Sequence, residues 1–344
     1  MRLRLSGLVL ATGLVLNASA AGAADSPGYR VAKKLPVGGD GGWDYLTVDS
    51  PARRLYVSRS TRVMVLDADT GAVVGEIPNT EGVHGIAIAT DLGRGFTSNG
   101  RSSTITIFDL KTLKVIDRVK STGENPDAIL YDAPSRRVFA FNGRTGNATA
   151  LDAVTGQVAA TIALEGKPEF ATSDAQGRVF VNLEDKSAIV VIDSRKLTVE
   201  KRWPLAPCEE PSGMAIDRAH KRLFVGCGNR MMAIVDAVAG KVTGTVPIGE
   251  GVDANAFDPG TGLAFSSNGD GTLTIAQAHG NAGYAVVQTV QTQRRARTMA
   301  LDEKTHTVFL PAADFGPPPS PTAETPRPRP SMVPGSFVIL VVSK

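Results

Sequence analysis

The sequence predicts an all-β chain, a seven-bladed β-propeller of four-stranded antiparallel blades. Three observations predict it. Short apolar, β-branched runs at 86–89, 95–98, 104–108 and 115–119 are separated by turn formers, as four strands of one antiparallel unit require. An aspartate closes the first strand of each such unit, at Asp49, Asp91, Asp132, Asp174, Asp217, Asp258 and Asp302, with spacings of 42, 41, 42, 43, 41 and 44 residues. Units of about this length are the sequence signature of propeller blades, whose ring closure removes exposed sheet edges.

The elements follow in chain order. Residues 1–24 read as a secretory signal: Arg2 and Arg4 precede an apolar run at 5–16 and the small-residue site Ala21-Gly22-Ala23. That run is short for a membrane span, and no later stretch approaches one. Residues 25–344 are expected to form a single propeller domain, exported to the periplasm or secreted. Residues 29–37 form a strand without a hairpin partner of its own. The seventh unit, at 297–301, 307–310 and 337–342, lacks a fourth strand, so the N-terminal strand is expected to complete it and latch the ring. A second aspartate ends the third strand of five units (Asp67, Asp109, Asp152, Asp193, Asp236), and Gln277 stands there in the sixth. In Asp67-Ala68-Asp69-Thr70-Gly71 and Asp152-Ala153-Val154-Thr155-Gly156 the Asp accepts turn N–H groups and Gly supplies positive φ. Between the second and third strands of the seventh unit lies a Pro-rich insertion, 316–334, which favours extended polyproline II. Its position puts it on the face of the blade-to-blade connections, as a lid or docking element.

Segments such as Arg54-Leu55-Tyr56-Val57-Ser58 and Ser187-Ala188-Ile189-Val190-Val191-Ile192-Asp193 resemble the YVTN-type, YncE-like seven-bladed propellers of bacterial exported proteins. The resemblance spans roughly residues 29–344 and rests on many weak repeats; Ser58, Ser98 and Asn142 depart from the literal tetrapeptide. It implies a periplasmic or surface location and varied roles, DNA binding and interaction modules among them. It transfers no catalytic residue.

The residues leading into each innermost strand ring one mouth of the central channel. At this position the blades differ: Asp44, His84, Asp127, Glu169, Ser212, Asp253 and Arg297. Structural positions in repeats resemble one another, so this divergence marks the ring as the candidate ligand-binding site, with Trp43, Tyr45 and Asn255 beside it. Arg294, Arg295 and Arg297, with Arg327 and Arg329 of the insertion, add cations on the same rim. With Trp43 and Tyr45 they offer what single-stranded nucleic acid or another polyanion needs. Asp44, Asp127, Glu169, Asp253 and Asn255 are oxygen donors of the kind calcium or magnesium takes. They come from dispersed blades, so no metal or other cofactor is assigned. His84, His220, His279 and His306 share no zinc or copper spacing. Cys208 and Cys227 fall on the same face and are expected to pair.

Other chemistries are excluded on motif. There is no H-E-x-x-H, C-x-x-C, G-x-S-x-G or phosphate-binding loop. Two tryptophans are too few for the repeated docking motifs of a quinone-dependent propeller dehydrogenase. His84 and Ser212 lie on blades across the channel, out of reach as a base and nucleophile. The formal charge of +3 falls to near +1 once Arg2 and Arg4 are removed, which argues against wholesale coating of nucleic acid. The reading is an exported binding or scaffold module, acting as a monomer through the channel-mouth face. Its partner would be a protein, a cell-envelope component or a polyanion. The alternatives are a metal-dependent hydrolase or lyase of lactonase-like propeller type, and a single-stranded nucleic-acid or polyanion binder.

Overall fold

The computed structural model describes residues 26–280, 283–322, 325 and 328–344. The leader at 1–24 and Arg327 lie outside them. Seven antiparallel four-stranded sheets follow one another in strict chain order. Blades 1–6 span 46–78, 83–120, 126–163, 168–204, 211–247 and 252–291. Blade 7 takes three strands from the end of the chain, Ala300–Asp302, Thr307–Ala312 and Val338–Ser343, and its fourth, Arg30–Pro36, from the beginning. The latch pairs from Arg30 opposite Ser343 to Pro36 opposite Val338, with a register shift between Val31 and Lys33.

The burial pattern explains why these sequences fold this way. Middle strands such as Arg137–Asn142 are buried on both faces and read as continuous apolar runs. Fourth strands such as Val158–Ala163 are outermost and largely exposed. Apolar side chains collect into seven clusters, one at each blade–blade interface. The cluster between blades 7 and 1, with Leu55, Val57, Leu66, Phe309 and Ile339 fully or nearly fully buried, is built like the other six. The ring therefore closes by the same apolar burial that joins consecutive blades.

Closure is also polar. Asp302 ends the first strand of blade 7 and receives Arg53 from blade 1. His306 Nδ1 lies 2.8 Å from Asp258 Oδ2, joining blades 7 and 6, and Ser173 Oγ donates to Asp132 Oδ1 at 2.5 Å, joining blades 4 and 3. Tyr29 packs edge-on against Phe265 at 5.4 Å and donates its hydroxyl to His306 O at 2.9 Å. Asp132, Asp258 and Asp302 thus cap their own turns and also take a partner from the next blade. Asp49, Asp174 and Asp217 cap their own turns, and the exposed Asp91 accepts from Tyr131 of blade 3.

Cys208 and Cys227 stand in disulfide geometry, sulfur atoms 2.06 Å apart, tying the connection into blade 5 to that blade's second strand. The Pro-rich segment is pinned at its base by an antiparallel bridge between Phe315 and Met332. Gly316 N donates to Ser331 O at 2.9 Å and Val333 N to Asp314 O at 2.8 Å. Among the described residues no helix is long and apolar enough to cross a membrane.

Candidate functional site

Five of the ring residues occupy one structural position, the second residue of an innermost strand. They are His84 in Val83–Ala89, Asp127 in Pro126–Asp132, Glu169 in Pro168–Ser173, Ser212 in Pro211–Asp217 and Asp253 in Val252–Asp258. The sequence reading placed them in turns before the strands; each in fact lies inside a strand, at a β-bulge. Register breaks between Val83 and Ile86, Pro126 and Ile129, Pro168 and Ala171, Pro211 and Met214, and Val252 and Ala254. A bulge leaves a residue out of the ladder and re-aims its side chain, here towards the mouth. Asp44 and Arg297 precede the shorter first strands of blades 1 and 7.

The second strands hold this ring in place. Asp44 N donates to Ser58 Oγ at 2.9 Å, and Gly85 N to Ser98 Oγ at 2.9 Å. The Ser98 hydroxyl in turn donates to Asp127 O, and that of Ser267 to Arg297 O. Asn182 Nδ2 donates to Ser212 O at 2.7 Å. Ser58 and Ser98, which depart from the repeat tetrapeptide, thus support the mouth together with Asn182 and Ser267, a role that no motif marks. Beside Ser212, Gly213 is required for closeness: a Cβ there would meet Ala254 Cα and Asn255 N of the next blade at 2.7 Å.

Three ring residues from blades 1, 2 and 3 converge. His84 Nδ1 lies 2.6 Å from Asp44 Oδ2 and 3.7 Å from Asp127 Oδ1. One ligand-type atom from each of the three lies within 4.8 Å of the others, a spacing that a single cation can span. Burial opposes the charged imidazolium, but the Asp44 hydrogen bond and the charges of Asp127 and Asp44 outweigh it and raise His84 to about 9. Burial raises Asp127 to about 6, with His84 opposing and Asp44 adding to the rise.

The rest of the ring forms two further ion groups. Lys167 Nζ is 2.7 Å from Glu169 Oε1 and also contacts Glu184; burial still lifts Glu169 to about 7 against the pull of Lys167. Ser212 Oγ donates to Asp253 Oδ1 at 3.1 Å and Arg297 Nε lies 3.0 Å from Asp253 Oδ2; burial lifts Asp253 to about 6 despite Arg297. Tyr45 reaches from blade 1 to pack against Phe170 of blade 4, ring centroids 5.4 Å apart. Its phenol is held well above its ordinary value by burial and then by Asp127, Asp44, Glu169 and Asp253. One tyrosine thus senses four carboxylates from four blades.

The remaining candidates are elsewhere. Asn255 is buried between blades 5 and 6, its Nδ2 3.1 Å from Met232 Sδ, and does not face the mouth. Trp43 packs between Phe315 and Phe337, with centroids at 6.0 and 5.2 Å, away from the Tyr45–Phe170 pair. The two aromatics therefore do not form one stacking surface. Arg295 lies over Phe315 at 4.4 Å, while Arg294 is exposed. His220 and His306 pair with Asp217 and Asp258 in first-to-second-strand turns.

A polar cavity of about 960 Å³ runs from His84 between blades 2 and 3, lined by Ser102, Thr122, Asn125 and Thr145 and by Arg101 and Arg144. A smaller one of about 200 Å³ joins Asp44 and His84 to Trp43. His84 thus links the His–Asp cluster to both cavities.

These observations decide the architecture. The chain is a seven-bladed β-propeller. A solved chain of Kuenenia stuttgartiensis hydrazine synthase has the same fold, with a TM-score of 0.68 and 14% identity, covering 87% of this chain and 96% of that one. No family model matches the propeller, and no curated protein matches it by sequence.

Proposed function

We propose that the propeller is a binding module that works through its channel mouth and captures a ligand carrying a cation. The observation that carries this reading is the meeting of Asp44, His84 and Asp127, whose histidine also lines the polar cavity. Asp127, Glu169 and Asp253 are held above their ordinary values by burial. An incoming cation would supply the countercharge that burial denies them. The hydroxyl-rich walls suit a polar ligand rather than an apolar one.

The test is thermal stabilisation by calcium, manganese, zinc or 1,4-diaminobutane, in wild type and in Asp44→Asn and Asp127→Asn. A ligand at a hundred times its Kd stabilises by about 2.7 kcal/mol. At least one probe should stabilise wild type and lose its effect in both variants. Equal response of all three proteins to every probe would reject the site.

A second reading, a metal-dependent hydrolase or lyase, is favoured by one feature. Two carboxylates near neutrality, Asp127 at about 6 and Glu169 at about 7, stand beside the His–Asp cluster, where an acid–base pair would be poised. His84 and the two aspartates fit a divalent ion in donor type, with His84 giving up its proton to ligate. Exclusive response to metals, with none to the diamine, separates this reading from the first.

We also propose that residues 1–24 are a leader and that the mature protein is a periplasmic or secreted monomer of the YVTN-type family. The basic, apolar and small-residue order of the leader supports export, and so does the Cys208–Cys227 geometry. The nucleic-acid reading has less support: Arg297 is already paired with Asp253, and Arg295 is stacked on Phe315.

A further inference from the structure

A second cavity, of about 440 Å³, lies where blade 1, the blade 6–7 connection and the Pro-rich insertion meet. Its walls combine two kinds of group. Trp43, Phe315 and Met332 give an apolar floor, and Arg295, Arg297 and Arg329 give three guanidinium groups. The volume is within the roughly 300–1,000 Å³ of small-molecule sites.

The charge here is incompletely balanced. Arg297 is paired with Asp253, and the nearby Asp314 carboxylate accepts from Gln293 Nε2 at 3.0 Å. Among the described residues neither Arg295 nor Arg329 has a carboxylate within 4.0 Å. Arg295 Cζ lies 4.4 Å from the Phe315 ring centroid, and among the described residues its guanidinium makes no hydrogen bond, which leaves its N–H groups for a ligand. The aromatic wall is fixed from behind, because Trp43 is braced by Phe337, itself fully buried. The insertion is what completes the site: Phe315 and Met332 are its paired base and Arg329 is on its returning arm.

We propose that this cavity binds a planar organic anion of the aromatic carboxylate class. Arg329 and Arg295 take the carboxylate, and the ring lies against Trp43 and Met332. A guanidinium fork matches a carboxylate in two parallel hydrogen bonds, and an aromatic floor selects a flat partner over a round one. The insertion is then a wall of a binding site. This site shares no ligand atom with the Asp44–His84–Asp127 cluster, so failure of the cation titration leaves it standing.

The experiment is a titration of the full chain with benzoate, cyclohexanecarboxylate and inorganic phosphate, read by tryptophan fluorescence and by calorimetry. Trp203, buried between blades 4 and 5, supplies a constant background to the signal from Trp43. Benzoate should saturate with a Kd of about 1 mM or below, and the other two anions at least about tenfold more weakly. Arg329→Gln, on an exposed arm, should raise the benzoate Kd about tenfold or more, while Lys33→Gln on the outer strand of the latch leaves it unchanged. No saturable benzoate signal, equal binding of phosphate, or an unchanged Kd in Arg329→Gln would overturn the proposal.

Discussion

Arg59 shows how one residue can fix a functional loop. It is fully buried and among the described residues has no carboxylate partner. Its guanidinium instead donates to the carbonyls of Gly38, Gly39, Asp40 and Gly41 at 3.1, 3.0, 2.9 and 3.2 Å, and stacks on Phe337 at 3.8 Å. Burial and the neighbouring Arg62 lower its pKa to about 10. The loop it clamps links the latch strand to Asp44 and Tyr45. Arg59→Met would leave four carbonyls without a donor, so a loss of about 3–5 kcal/mol in denaturant unfolding is expected. Arg59→Lys should recover little, because one ammonium cannot reach four separated carbonyls. A loss below about 1 kcal/mol would contradict the clamp.

The mouth residues set a pH dependence whose sign is fixed. Asp127, Glu169 and Asp253 titrate in the fold at about 6, 7 and 6, above their unfolded values, so their contribution is full below about 4 and is lost as pH rises through the folded values. His84, raised to about 9, has the same sign: its contribution is full below about 6.5 and is lost as pH rises through about 9. Asp302 runs the other way: its hydrogen bonds to Ser50, Arg53 and Thr305 overcome burial and lower it to about 2, so its contribution is lost only in strong acid. The melting temperature should therefore fall from pH 5 to pH 9. Asp127→Asn should be more stable than wild type at pH 8, by on the order of 1 kcal/mol. A variant less stable there would show that Asp127 is already satisfied as an anion.

At the scale of the element, much is legible in the repeat itself. The recurring Asp after the third strand accepts two or three turn donors as expected; Asp67 Oδ1 takes Asp69 N, Thr70 N and Thr70 Oγ1. Gly71 and Gly156 supply the left-handed residue at φ 75°, yet Leu113 and Leu197 fill the same place at φ 60° and 59°. Leu113 is tolerated because its side chain is buried against the blade 1–2 interface. The bulges were not legible. Register depends on backbone pairing between strands, which leaves no residue signature beyond the divergence of the ring itself. The meeting of His84 with Asp44 and Asp127 also escaped a search by spacing, because the three residues lie about one blade apart in sequence. The Cys208–Cys227 bond closes a short loop, and Cys208→Ser with Cys227→Ser should lower stability by about 3 kcal/mol under oxidising conditions. Under a strong reductant the variant and wild type should converge.

At the scale of the molecule, seven interface clusters of one kind distribute stability around the ring, and the latch strand pairs with the last strand of blade 7 and packs Leu35 against the blade 7–1 cluster. Removing residues 29–37 should strip Val338–Ser343 of its outer partner and open the blade 7–1 interface. Loss of cooperative unfolding, or association through the freed edge, is the expected result by light scattering and thermal melts; an unchanged monomeric melt would refute the latch. Ring closure also braces the site, since Thr298 of blade 7 donates to Asp44 O at 2.8 Å.

The most direct test of the cation-binding mouth is calorimetric titration with manganese and, separately, with 1,4-diaminobutane at pH 7.5, in two buffers of different ionisation enthalpy. Binding by either probe that is abolished by Asp44→Asn and Asp127→Asn supports the account; a metal should release about one proton as His84 deprotonates to ligate, whereas a diamine should release none. No saturable heat from either probe, or binding that survives both substitutions, would contradict it.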